Sequence, residues 1–208
     1  MMRIRTILAA ALTASALTLS AVVPVAGASV PAGPTLADIL QAQGGGTDRN
    51  WYDFDILAAG VDAAGLTAAL DDPNANLTVF IPNDRAFQAL VADLFGFRYW
   101  FASEATILNK LVQLETSAPG TLQTVILYHA VPGQIPSSAA LSVPRGTELT
   151  TLQGGTIAVY PIRYFGTAVL VDQDRNDANP FLIRSKLNIQ ASNGIAHGIS
   201  LVLRPADL

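Results

Sequence analysis

The chain contains no cysteine. Disulfides and thiolate metal sites are therefore excluded, and a hydrophobic core must hold the fold unaided. Charge is also scarce, at 13% of residues, and acidic groups outnumber basic ones by 16 to 12. With no basic stripe to offset that balance, there is no electrostatic case for a nucleic acid partner. Histidine occurs twice, at His129 and His197, with neither HxxxH spacing nor a third ligand nearby. That spacing does not form a histidine metal centre, so no metal or other cofactor is expected. Gly-x-Ser-x-Gly is missing, and no nucleophile, base and orienting group can be assembled, so no enzyme is expected. What the chain has in quantity is apolar residues, at 50%. They imply a large core or an apolar interaction surface.

The N-terminus reads as an export signal. Arg3 and Arg5 precede an apolar run from Ile7 to Val25, and Ala26-Gly27-Ala28 supplies a small-residue cleavage site. Cleavage after Ala28 is predicted, followed by a flexible linker over 29–34 and one domain over 35–208. The product is expected to be secreted, periplasmic or held at the cell surface. An exported chain without cysteine suits a bacterial protein better than an animal extracellular module. No later run is long enough to span a bilayer.

Along the domain, helices lead and strands follow. Thr35 and Asp38 mark a helix start, and Phe54 to Leu70 carries apolar residues spaced for two short helices. Leu77 to Ile81 reads as a buried strand ended by Pro82. Asn83 is placed to cap a helix running to about Leu90, with Asp84 favouring its dipole. Ala105 to Leu114 and Leu122 to His129 read as further helices. After Val131 the pattern shortens to strands, at Glu148–Leu152, Thr156–Tyr160, Ala168–Val171, Leu187–Gln190 and Ile195–Leu203. Asn193-Gly194 between the last two is a hairpin signal, because both residues tolerate positive φ. This order argues for an α+β fold with a mainly antiparallel sheet system.

Three segments carry a family resemblance, in order along the chain. They are Thr78-Val79-Phe80-Ile81-Pro82-Asn83-Asp84-Arg85-Ala86-Phe87, then Leu127-Tyr128-His129-Ala130-Val131-Pro132-Gly133, then Ser192-Asn193-Gly194-Ile195-Ala196-His197 with Ile199, Val202, Leu203 and Pro205. Together they resemble the two signature boxes and the central Tyr-His motif of the fasciclin domain family. The resemblance implies a wedge-shaped β-sandwich with a layer of short helices. It assigns Thr78, Phe80, Pro82, Asn83, Asp84, Phe87, Asn193, Gly194 and His197 to the scaffold. It also implies adhesion, through contact with an extracellular or cell-surface protein or glycan. In animal relatives the Tyr-His motif is implicated in integrin recognition, which makes Tyr128 and His129 surface candidates. Some relatives are associated with apolar pigments, so a small pigment- or lipid-binding module is the alternative.

Three further features have two readings each. Both histidines lie in apolar runs, where a buried ring hydrogen-bonded to the backbone is favoured over catalysis. Asp172 to Asp177 begins like a calcium loop, but Asp177 stands where glycine is required and Ile183 where a bidentate Glu is required. A polar hairpin loop is the simpler reading. Between Leu94 and Phe101, five of eight residues are aromatic: Phe95, Phe97, Tyr99, Trp100 and Phe101. Beside Arg98 they form either an interface or a cover over the domain's own core.

Overall fold

β1 (Leu77–Pro82) is buried from Thr78 onward, and its side chains alternate between two cores. Val79 and Ile81 enter a helical core, while Phe80 enters the core on the opposite face. The computed structural model describes residues 33–43 and 46–206. The export signal and most of the linker expected after it lie outside those residues.

β1 is flanked by β2 (Ala130–Pro132), antiparallel, and by β7 (Gly194–Ile199), parallel. β6 (Ile189–Ala191) completes the order β2-β1-β7-β6. A second antiparallel sheet has the order β3 (Thr147–Thr150), β4 (Thr156–Ile162), β5 (Thr167–Val171). The two sheets share a core in which Phe80, Val131 and Ile199 meet Ile157, Val159, Ala168 and Leu170. Leu182 bridges to Ile199 and Phe181 to Val169, so the segment after β5 laces the sheets together.

The helices are α1 (Leu36–Gln43), α2 (Asp55–Ala63), α3 (Thr67–Asp71), α4 (Asp84–Phe95), α5 (Glu104–Ser117), α6 (Thr121–Tyr128) and α7 (Ser137–Ser142). All but α7 bury apolar side chains against the free face of the β1 sheet. The caps follow the sequence. Asn83 Oδ1 accepts from Ala86 N at 3.1 Å, and Thr35 and Asp38 exchange bonds of 3.2 and 2.9 Å. The result is an α+β sandwich with a helical layer. The parallel β1–β7 pairing departs from the antiparallel expectation, because periodicity identifies a strand and not its distant partner.

The last hairpin forms, but not as its Asn-Gly signal implies. Ala191 pairs with Gly194, so the two-residue turn is Ser192-Asn193. Neither Asn193 nor Gly194 has positive φ; Asn188, at 55°, is the only described non-glycine residue that does. Gly194 is required for space. A Cβ there would meet the Leu77 carbonyl oxygen at 2.6 Å and Leu36 Cδ1 at 2.7 Å. Gly194→Ala is therefore expected to cost about 2 kcal/mol through overpacking, measured by urea unfolding. An unchanged midpoint would show that α1 and β1 yield freely at this contact.

Candidate functional site

The three motif segments fasten the interior. Thr78, fully buried, donates from Oγ1 to the Gly133 carbonyl at 2.6 Å and accepts from Ile135 N at 2.8 Å. The first motif is thereby stitched to the last residue of the second and to Ile135 just beyond it. Phe80 and Phe87 are core residues, and Pro82 pairs with Ile199 at the end of β1. The Asn193 side chain is 1% exposed and spans three elements. Its Oδ1 accepts from Leu36 N at 2.9 Å, and its Nδ2 donates to the carbonyls of Leu70 at 2.8 Å and Asp72 at 2.9 Å.

Both histidines are locked by backbone at both ring nitrogens. His129 Nδ1 donates to the Val125 carbonyl at 2.7 Å, and Nε2 accepts from Leu203 N at 2.9 Å. His197 has the opposite tautomer: Nε2 donates to the Ile135 carbonyl at 2.9 Å and Nδ1 accepts from Asn188 N at 3.2 Å. Burial holds His129 down to about 4 and also lowers His197, so both rings are neutral. Tyr128 is wholly buried, its hydroxyl donating to the Thr156 carbonyl at 2.6 Å. Tyr128 and His129 thus leave the candidate interaction surface, because their apolar flanks carry them inward. Asn188, which sequence reasoning missed, supports His197. Its left-handed backbone lets its side chain bind Ser137 N and Oγ, both at 2.8 Å, so that the start of α7 is tied to the residue before β6.

The aromatic run divides. After α4, Gly96 turns the chain at φ 105° into a 3₁₀ turn over Phe97–Phe101. Phe95 and Tyr99 pack edge-to-face at 6.2 Å against the helical core, and Lys110 lies over both rings. Phe97 and Phe101 remain 70% and 78% exposed. Phe97 is stacked on Trp100 at 6.5 Å and meets Phe101 edge-on at 5.6 Å. The Arg85 guanidinium lies 4.1 Å over Trp100 and backs the platform from α4. The run therefore does both things its composition allows: one part anchors, and the other faces solvent.

The loop that begins like a calcium site is organised by Arg204. Its Nη1 lies 3.0 Å from Asp93 and 3.4 Å from Asp174, and it also binds Asp177. Asp172 accepts from Arg204 N at 2.9 Å, and burial pushes it up to about 6. The guanidinium supplies the positive charge that the loop's carboxylates require.

A second acidic group lies where α2, α4 and α5 begin. Asp84 and Glu104 are fully buried, and each is the first residue of its helix. Asp84 Oδ1 accepts from Ile56 N at 2.9 Å, Glu104 Oε2 from Asp48 N at 2.6 Å, and Asp53 Oδ2 from Asn50 Nδ2 at 2.8 Å. The second oxygen of each carboxyl is buried without a hydrogen-bond partner. Burial first, then the neighbouring Asp53 carboxyl, push Asp84 up to about 8, and burial raises Glu104. Asp84 thus serves the fold as expected, and its second oxygen meets only the Asp53 carboxyl.

Two apolar cavities of about 70 and 30 Å³ lie in the helical core. Both are well below the roughly 300 Å³ at which small-molecule pockets begin. A wider, open groove of about 550 Å³ runs past Phe165, Phe181 and Arg184, with Tyr164 standing 92% exposed beside Phe165. The aromatic residues of this groove are scattered along the chain and gave no local signal.

The fasciclin domain profile matches residues 52–205, which span all three motif segments. The chain belongs to the fasciclin domain family. Fasciclin domains are non-enzymatic, adhesion-type domains, typically extracellular or at the cell surface. The chain is also similar to a solved FAS1 domain pair from the insect cell adhesion molecule fasciclin I. Sequence identity is 14% and the TM-score 0.56, over 82% of this chain and 51% of that one. This fasciclin chain thus spans about half the length of that structure, and the likeness supports its fold. No curated protein matches it. Among the described residues, no helix is long and apolar enough to cross a membrane.

Proposed function

We propose that this is an exported, non-enzymatic fasciclin domain that adheres to a cell-surface or matrix protein or glycan through the platform of Phe97, Trp100 and Phe101. The observation that carries the reading is the exposure of Phe97 and Phe101 on a turn anchored from beneath by Phe95 and Tyr99. Aromatic rings presented this way offer contact area at little further ordering cost, and Arg98 beside them supplies a charged donor. The motif residues, by contrast, are committed to the interior.

Retention of the protein on cells, on matrix or envelope fractions and on immobilised glycans tests this directly. The double variant Phe97→Ser/Phe101→Ser is expected to lose at least about tenfold in retention with its melting temperature unchanged, as two exposed hot-spot residues should. Full retention by that variant, or none by the folded wild type, would remove the reading. The 550 Å³ groove favours one alternative, capture of a small apolar pigment or lipid against Phe165 and Phe181. A ligand mass or visible absorbance in natively purified protein would move that reading ahead.

A further inference from the structure

We propose that Asp48, Asp53 and Glu104 hold a hard divalent cation, calcium above all, where α2 and α5 begin. The case rests on how two of these carboxyls are built in. One oxygen of Asp53 and one of Glu104 accept from a protein N–H, and the other oxygen of each is buried with no N–H or O–H donor. Orphaned buried oxygens are expensive, and those of Asp53 and Glu104 in one acidic group call for a positive charge. None of the three carboxylates forms an ion pair with a described cationic side chain. That separates this group from the 172–177 loop, which has Arg204.

Geometry agrees. Oxygens of Asp53, Asp55 and Asp84 lie within 4.8 Å of one another, and so do those of Asp48, Asp53 and Glu104, with Asp53 common to both sets. Ligands about 2.3–2.6 Å from one ion can be no more than roughly 5 Å apart, so Asp48, Asp53 and Glu104 fit one centre, which Asp84 adjoins through Asp53. The N-termini of α2 and α5 carry about +0.5 each, which offsets only about a third of the charge of three carboxylates. Asp48 is exposed and Asp53 half-buried, so the group opens to solvent on one side, leaving room for water ligands. Calcium tolerates such an irregular, part-hydrated set, whereas magnesium demands near-ideal octahedral geometry. The site also adjoins the aromatic platform: Arg85, which backs Trp100, donates its backbone N–H to the Trp51 carbonyl at 3.0 Å. The proposal does not depend on the adhesive reading.

The test is calorimetric titration of chelator-treated protein with calcium chloride in about 0.15 M KCl, which screens non-specific attraction, with melting curves beside it. One calcium per chain is expected, with a rise in melting temperature of about 5 °C near saturation. Asp53→Asn and Glu104→Gln, which keep side-chain shape and remove charge, should each weaken binding at least tenfold. Asp177→Asn, on the other loop, should leave it unchanged. No heat and no thermal shift at about 10 mM calcium or magnesium would overturn the proposal and leave shared protons as what joins the carboxyls. Undiminished binding by both site variants would place the ion elsewhere and overturn it equally. Magnesium binding without calcium binding would overturn the choice of ion.

Discussion

Replacing Asn193 with alanine is expected to cost about 4 kcal/mol, a large share of the roughly 5–15 kcal/mol that stabilises a typical domain. The variant orphans the Leu36 N–H and the Leu70 and Asp72 carbonyls, two of them on buried residues. Each buried group left unmade costs about 1–3 kcal/mol, and the vacated space adds to that. The loss should concentrate on α1, which enters the core through Leu36 and Leu40 and is held at its first residue by this side chain. Asn193→Asp should be no milder: it keeps the acceptor, loses both donors and sets a carboxylate against two carbonyl oxygens. Urea unfolding measures the effect. A cost under about 1 kcal/mol would show that α1 docks without Asn193.

The second large effect is on pH dependence. His129 is lowered in the folded state to about 4 from an ordinary 6.5. Above pH 6.5 it is neutral folded or unfolded, and its full contribution is present. As pH falls from 6.5 to 4 the unfolded chain takes up a proton that the folded chain refuses, so stability is lost across that window. The loss amounts to about 3 kcal/mol at roughly 1.4 kcal/mol per pH unit. Asp84 and Asp172 act in the opposite sense, because their folded values are raised and they contribute most below their unfolded range. Comparison with His129→Gln cancels them. That variant should be the less stable protein at pH 7, and the gap should close by about 3 kcal/mol on reaching pH 4. A gap constant with pH would mean that the ring takes up its proton in the folded protein as readily as in the unfolded chain.

The architecture was legible where a residue acts on its own neighbourhood. The Asn83 cap, the Thr35–Asp38 box and the alternating strands β4 and β5 follow from local chemistry. The burial of both histidines followed from their apolar flanks. Legibility failed where action is at a distance. Asn193 reads as a turn residue chosen for its backbone, yet its value lies in a side chain reaching Leu36 and Leu70. Gly194 reads as a residue needing positive φ and is instead one that must lack a Cβ beside β1. α7, short and rich in serine, has too few apolar positions to show a period. At the acidic site, Asp84 reads as a helix-dipole partner, and nothing local joins it to Glu104 or Asp53. Only the convergence of three helix starts does so. The aromatic run announced itself by composition, but which rings face outward was decided by the turn at Gly96.

The central claim is that the three motif segments are interior fasteners. It is tested most directly by ¹⁵N NMR of the two imidazoles in the folded protein between pH 7 and 4.5. Two neutral rings of opposite tautomer are predicted, His129 protonated at Nδ1 and His197 at Nε2, with His129 not titrating until about pH 4. A His129 ring that titrates near 6.5, or that exchanges between tautomers, would contradict the claim and return the Tyr128–His129 motif to the surface.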